Sequence, residues 1–221
     1  MAKEWLNAGD ERPTNPEASR RYCRLEQLNP EWWATAARLL ARRGEFFPGI
    51  RVAGAARLEL EWWGEPLLVE PRTRKMWTAA GRVPGYQEGL VVLGLLNYAA
   101  GHDRLPPERG LVTAEHLRGG ATFFRGPHVM ASVLIARRFA RRGREFRQRG
   151  LAAGGREAPY GEYGVEFTWF PGCRWLVALW EEDEEFPARA TYLFDRCLEE
   201  LFALDVVWAL GNVVAARFGV W

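Results

Sequence analysis

Hydrophobic and polar positions alternate with a period of two in two stretches of the chain. Between 57 and 63, Leu58, Leu60 and Trp62 alternate with Glu59, Glu61 and Trp63, which predicts a strand with one buried face. Gly64-Glu65-Pro66 then turns the chain into Leu67-Leu68-Val69, so the pattern predicts a hairpin, with extended chain continuing through Met76 and Trp77. Strand alternation puts the Trp62 and Trp63 rings on opposite faces, and the outward ring is a candidate interface. Farther on, Tyr163, Val165, Phe167 and Trp169 alternate with Glu162, Gly164, Glu166 and Thr168; Pro171-Gly172 makes the turn, and 173–180 is the return strand. A third strand is expected over 190–194.

Other stretches carry helical spacing. Asn29-Pro30-Glu31 supplies a cap, a ring that fixes the first helical dihedral and an early acid, with Trp33, Ala37 and Leu40 on one face and Gly44 as the stop. Residues 86–100 are apolar almost all round, with Gly101 after them, which predicts a buried central helix. A Pro106-Pro107 turn leads to a short helix near 113–117, a Gly119-Gly120 break and a short strand over 121–124. A helix is then expected from Pro127, with Val129, Val133, Ala136 and Ala140 on one stripe and Gly143 ending or bending it. A last helix spans about 198–218, with Leu201, Leu204, Val207, Val214 and Phe218 as its stripe. Hairpins alternating with helices predict an α+β fold, a largely antiparallel sheet built from hairpins and packed against several helices. No repeat divides the chain, so the expectation is a mobile tail over 1–20, rich in Pro, Asn, Asp and Glu, and a single domain over 21–221.

Composition narrows the function classes. With 221 residues, 48% hydrophobic and 26% charged, the chain is an ordinary globular protein, which excludes disorder, collagen and coiled coil for most of its length. Thirty basic against 28 acidic residues leave a net charge of +2, so neither nucleic acid nor an anionic membrane is the default partner. Only Lys3 and Lys75 are lysines, which makes the basic set arginine-rich. Cys23, Cys173 and Cys197 form no CxxC pair, so neither a disulfide framework nor a zinc or iron–sulfur cage is predicted; reduced thiols in a cytoplasm, and no cofactor, are expected. The N-terminus lacks the apolar core of a signal peptide; 90–100 is too short to cross a bilayer, and 201–221 carries Asp205, Asn212 and Arg217.

Two clusters are candidates for chemistry. Glu181-Glu182-Asp183-Glu184-Glu185 puts five carboxylates at a strand exit, which raises their proton affinity or invites a hard cation; Asp183, Glu184 and Glu185, with Asp195 at the same sheet end, form the candidate ligand site. The same run also reads as a solvated loop, and Asp195 as the cap of the final helix. The second cluster is Arg137, Arg138, Arg141, Arg142, Arg144, Arg147 and Arg149, a basic helix face open to phosphate, RNA or an acidic protein, or simply solvated. His102, His116 and His128 have no ligand-type spacing, Cys197 stands near a helix start, and the 11 tryptophans read mostly as core.

The order of motifs resembles the Domain of Unknown Function 3786 family. The resemblance is carried by Trp175-Leu176-Val177-Ala178-Leu179-Trp180, the acidic Asp183-Glu184-Glu185-Phe186-Pro187 and Leu193-Phe194-Asp195. Upstream it continues through Leu95-Leu96-Asn97-Tyr98, the segment 117–124 with its Gly119-Gly120 pair, and 139–155. Two positions depart from the family pattern: Glu182 stands where a glycine is expected, and Cys197 where a small polar residue is typical. The resemblance implies a setting in anaerobic corrinoid or iron–sulfur cofactor metabolism. The expectation is therefore a non-catalytic cytoplasmic binding or accessory domain whose partner is another protein or a small ligand, with no membrane partner. The alternatives are a metal-dependent enzyme using Asp183, Glu185 and Asp195, and a nucleic-acid-binding protein using the arginine helix.

Overall fold

The computed structural model describes residues 24–220; the tail expected over 1–20, Cys23 and Trp221 lie outside the described residues. Helix α1 (Pro30–Leu39) starts where its capping residues predict: the Asn29 side chain accepts a hydrogen bond from the Glu31 amide at 2.9 Å, and Pro30 opens the first turn. Its buried stripe is Trp33, Ala36 and Leu39. The expected face of Trp33, Ala37 and Leu40 is therefore rotated, with Ala37 and Leu40 on the flank.

Five strands follow, β1 (Glu45–Phe47), β2 (Ile50–Ala53), β3 (Arg57–Trp62), β4 (Glu65–Glu70) and β5 (Lys75–Thr78), joined in sequence order as an antiparallel meander. The expected hairpin and its extension are β3, β4 and β5. Trp62 pairs with Glu65, so the turn is the two residues Trp63-Gly64, one step earlier than Gly64-Glu65-Pro66. Helix α2 (Tyr86–Gly101) is the buried central helix, with Val91, Val92, Leu93, Leu95 and Leu96 fully inside.

The middle of the chain departs most from the pattern. After β6 (Leu111–Val112) and a turn of 3-10 helix at Ala114–His116, residues 121–124 are not a strand; α3 (Gly120–Phe123) occupies them. Gly119 is left-handed at φ 79°, and a Cβ on residue 120 would sit 2.0 Å from the Ala114 carbonyl oxygen. This glycine pair folds the chain back onto the preceding turn instead of extending it. The helix expected from Pro127 begins only at α4 (Ser132–Arg138), because Gly126–His128 forms a separate 3-10 turn and Val129, with ψ 133°, leaves the helical conformation. Gly143 starts α5 (Gly143–Ala152), where a Cβ would meet the Tyr163 ring at 2.1 Å.

The second sheet comprises β6 with β7 (Arg156–Glu157), β8 (Tyr163–Phe170), β9 (Cys173–Trp180) and β10 (Arg189–Asp195), in the antiparallel order β6-β10-β9-β8-β7. The β8–β9 hairpin lies where the alternation places it, and β10 covers the strand expected over 190–194. The last helix is divided into α6 (Leu198–Leu201) and α7 (Leu204–Arg217) by Phe202, which is extended and buried. Its ring lies 5.8 Å from that of Trp169 and packs close over Gly94 of α2, 3.3 Å from where a Cβ there would stand. The wedge breaks the helix in exchange for core contact.

The fold is thus α+β, with two antiparallel sheets of five strands, and one contiguous cluster of buried side chains runs through both sheets, α2 and α7. The sheets meet at their turns. The Trp63 amide of the β3–β4 turn donates to the Trp169 carbonyl of β8 at 2.9 Å, and the Trp62 and Trp169 rings stand edge-on at 5.8 Å. Among the described residues, no helix is long and apolar enough to cross a membrane.

Candidate functional site

The junction of the two sheets is built on a strained turn. Trp63 and Gly64 both have positive φ, 53° and 77°, the requirement of a type I′ hairpin turn. Glycine meets that requirement freely, whereas a side chain as large as indole adopts it at a cost of roughly 1–2 kcal/mol. The turn takes Trp63 out of strand alternation, so its ring does not project outward as the sequence predicts. It packs edge-on against Phe167 at 5.6 Å and carries the guanidinium of Arg217 over its face at 4.1 Å. Its indole Nε1 is buried without a hydrogen-bond partner among the described residues.

Three elements converge on this turn. The N-terminus of α2 brings Glu88, 8% exposed, in its first turn, where the helix dipole favours an acid. The Trp62 indole donates to Glu88 Oε1 at 2.6 Å, and Arg82, just before the helix, donates to both carboxylate oxygens at 2.7 and 3.0 Å. Such a two-pronged, charge-assisted contact is among the stronger and more directional side-chain interactions. It holds the Arg82 pKa above its ordinary value, the Glu88 hydrogen bonds being the largest cause, against burial. Glu65 of β4 meets Arg82 at 3.6 Å. The C-terminal turn of α7 brings Arg217, Val213 and Ala216, and these residues with Glu65, Arg82 and Glu88 line an open cavity of about 280 Å³.

Arg217 differs from the other charges here. Among the described residues it makes no ion pair, and its one hydrogen bond, to the Ala153 carbonyl, is long at 3.5 Å. Burial lowers its pKa, partly countered by the charges of Glu88 and Glu65, while Arg82 adds to the depression. The group nevertheless stays protonated at neutral pH. An arginine that is desolvated, stacked on an aromatic face and left with free N–H donors at a cavity wall is arranged to receive an anionic group.

The residues singled out in the sequence lie elsewhere. In the acidic run, Glu181 accepts the Gly143 amide at 2.6 Å and so caps α5, and Glu182 pairs with Arg141 at 2.6 Å. Asp183 accepts the amides of Phe186 and Glu185 at 2.7 and 2.8 Å within its own turn. Those bonds hold its carboxyl below the ordinary range, opposite to the rise expected from crowding. Glu184 and Glu185 are exposed. Asp195 does not join them: it ends β10, whereas the acidic run precedes that strand. Six residue steps of about 3.3 Å separate Arg189 from Asp195, so the two groups stand at opposite sheet ends, about 20 Å apart.

Asp195 instead accepts the amides of Cys197, Gly110 and Arg109 at 2.8 to 3.1 Å, tying the loop before β6 to the turn before α6. Burial works to raise its pKa, but the bonds from Cys197, Arg109 and Gly110 prevail and lower it. No three His, Cys, Asp or Glu side chains among the described residues converge as a metal-binding group.

The arginine cluster is not one helix face. Arg137 and Arg138 end α4, Arg141 and Arg142 lie in the break, and Arg144, Arg147 and Arg149 are on α5. Arg141 pairs with Glu182, Arg142 and Arg149 with Glu145, and Arg147 with Glu157. Arg138 lies over the Phe139 ring. His102 stacks on Tyr98 and His128 on Phe123, while His116 bonds Thr113. Cys173 and Cys197 are buried thiols; burial raises both pKa values, that of Cys197 to about 12 with help from its bond to Asp195.

The sequence reading missed Arg82, Glu88, Glu65 and the role of Arg217, which it noted only as a charge interrupting an apolar stretch. No curated protein and no solved structure matches the chain. The model of one family, described as Domain of unknown function (DUF3786), matches residues 48–217, a span that holds both hairpins, the two glycine-marked turns and every residue of the junction cavity, and the chain belongs to that family.

Proposed function

We propose that the chain is a non-catalytic binding domain whose site is the junction cavity, and that it takes a small ligand by an anionic group placed on Arg217. The observation that carries this reading is the Arg217 guanidinium: stacked on Trp63 at 4.1 Å, partly buried, and in no ion pair among the described residues. A purely structural arginine in such a place is normally paired, because taking a charge even half out of water costs about 1–2 kcal/mol and an acidic partner is the usual offset. In the neighbouring Arg82–Glu88–Trp62 network both carboxylate oxygens of Glu88 already accept hydrogen bonds, and the network orients the wall beside Arg217. Among the described residues lining the cavity none is a nucleophile paired with a base, and binding is therefore preferred to turnover as the reading. The cytoplasmic setting and the accessory role in anaerobic corrinoid or iron–sulfur metabolism rest on cysteine usage and on the family resemblance.

The test is calorimetry and thermal denaturation of the full chain with a panel of short carboxylates and amino acids, against Arg217→Met. A ligand at a hundred times its dissociation constant raises stability by about 2.7 kcal/mol, and that rise should vanish in the variant. Equal binding by the variant, or no binding by any member of the panel, overturns the reading.

A further inference from the structure

We infer that the ligand of the junction cavity is a zwitterion, a short molecule whose anionic group meets Arg217 and whose cationic amine meets Glu65. The inference rests on the binding reading above and names the second half of the ligand. It follows from which groups at the cavity still have capacity. Both oxygens of Glu88 are occupied, by Trp62 and by the two prongs of Arg82. Arg82 is correspondingly committed to Glu88. Glu65 is not: its Oε1 reaches Arg82 only at 3.6 Å, and its side chain remains 35% exposed. Two charged groups on the cavity wall have no hydrogen-bonded charged partner among the described residues, Arg217 and Glu65, and they are opposite in sign.

Charge balance points the same way. The wall carries two arginines, Arg82 and Arg217, and two glutamates, Glu65 and Glu88, so it is neutral as it stands. A simple anion on Arg217 would bring a net negative charge into a partly desolvated space already holding two carboxylates. A zwitterion keeps the sum at zero and gives Glu65 the close partner it lacks. In such a space the sign of the added charge discriminates between ligands more than the contact area does.

The remaining wall, Val213 and Ala216 on α7, is aliphatic and small, which suits a short methylene chain between the two charged ends. At about 280 Å³ the cavity lies at the lower limit of small-molecule sites, so a compact amino acid fits better than a nucleotide or a peptide.

The experiment titrates the full chain with amino acids having one to five carbons between amine and carboxylate, with the matched carboxylic acids lacking the amine, and with the matched amines lacking the acid. One member of the amino-acid series should bind best, at least roughly fivefold tighter than its matched acid, as a partly exposed ion pair permits. Glu65→Gln should bring the amino acid down to the affinity of the acid, while Arg217→Met should abolish both. Acids binding as tightly as amino acids, with Arg217 still required, would overturn the zwitterion and leave the anion site standing. Amines binding alone, or a preference that survives Glu65→Gln, would also overturn it. If no compound binds in an Arg217-dependent way, both readings fall together.

Discussion

Arg217→Met removes a guanidinium and keeps a stem of similar length against Val213, Ala216 and Trp63. The losses are countable. The stacking over Trp63 at 4.1 Å is worth about 1–2 kcal/mol when partly desolvated. The hydrogen bond to Ala153 at 3.5 Å is beyond the usual N–H···O range and contributes a few tenths of a kcal/mol at most. The gain is release from the desolvation penalty, which is several kcal/mol for an ion taken fully out of water and about 1–2 kcal/mol for one half out. Methionine also retains much of the apolar contact that the arginine stem makes. The two sides cancel to within about 1 kcal/mol, or roughly 2–4 °C in melting temperature for a chain of this size. A structural arginine in a buried pair would behave differently, since breaking such a pair costs about 3–5 kcal/mol. Thermal and urea denaturation followed by circular dichroism measure the difference, and calorimetry on the same sample shows whether binding is gone. A loss of about 3 kcal/mol or more would refute the reasoning, because it would mean that Arg217 serves the fold and is not held for a ligand.

Three further outcomes are expected. Glu88→Gln withdraws the charged acceptor of Trp62 and of a half-exposed Arg82, so it should cost about 2 kcal/mol and lower the melting temperature by roughly 4–8 °C; no change would show that the network is dispensable. Asp195→Asn should destabilise the chain at neutral pH. Because the folded pKa of Asp195 is depressed, its contribution is present above about pH 4 and lost as pH falls through the lowered value, so wild type and variant should converge in acid denaturation profiles. Cys173 and Cys197, whose thiols are raised by burial, should resist alkylation at pH 8 in the native chain and react after unfolding, as read by mass spectrometry of the modified peptides; rapid native labelling of either would contradict its burial.

Much of the fold was legible in the sequence wherever one period dominated. The β3–β4 and β8–β9 hairpins, β10 and the buried helix α2 lie where the sequence predicts them, and the clearest of these patterns, β8–β9 and α2, run over eight or more residues. The errors fall where local signals compete with tertiary contact. Residues 121–124 look extended by composition, yet the glycine pair before them allows a close approach to Ala114 that no other residue permits. The stripe through 198–218 continues without interruption as a helical pattern, and only the insertion of Phe202 beside Gly94 and Trp169 explains the break. The short strands β1, β6 and β7, of two or three residues, are too brief for a periodic signal and exist through their neighbours.

The site was hidden for a different reason. Trp63, Arg82, Glu88 and Arg217 are spread over more than 150 positions of the chain, and each has an ordinary local explanation: a strand aromatic, a loop cation, a helix-start acid and a helix-end base. The acidic run drew notice because its residues are adjacent in sequence, but adjacency gave its carboxylates nearby amides, and Glu181, Asp183 and the more distant Asp195 spend their lone pairs on backbone N–H groups. Local clustering and open chemical capacity are therefore opposed in this chain. Several of the charged groups close in sequence, Glu181, Glu182 and Asp183 among them, are satisfied by other side chains or by backbone N–H groups, whereas Arg217, which makes no ion pair among the described residues, stands where the end of α7 was carried onto a turn fixed by sheet packing. The one clue in the sequence was the Trp63-Gly64 step. Indole in a position that favours glycine or asparagine costs conformational energy, and that cost is offset by what the ring itself contacts, the edge of Phe167 and the guanidinium of Arg217, beside the hydrogen bond from the residue's backbone N–H to the Trp169 carbonyl.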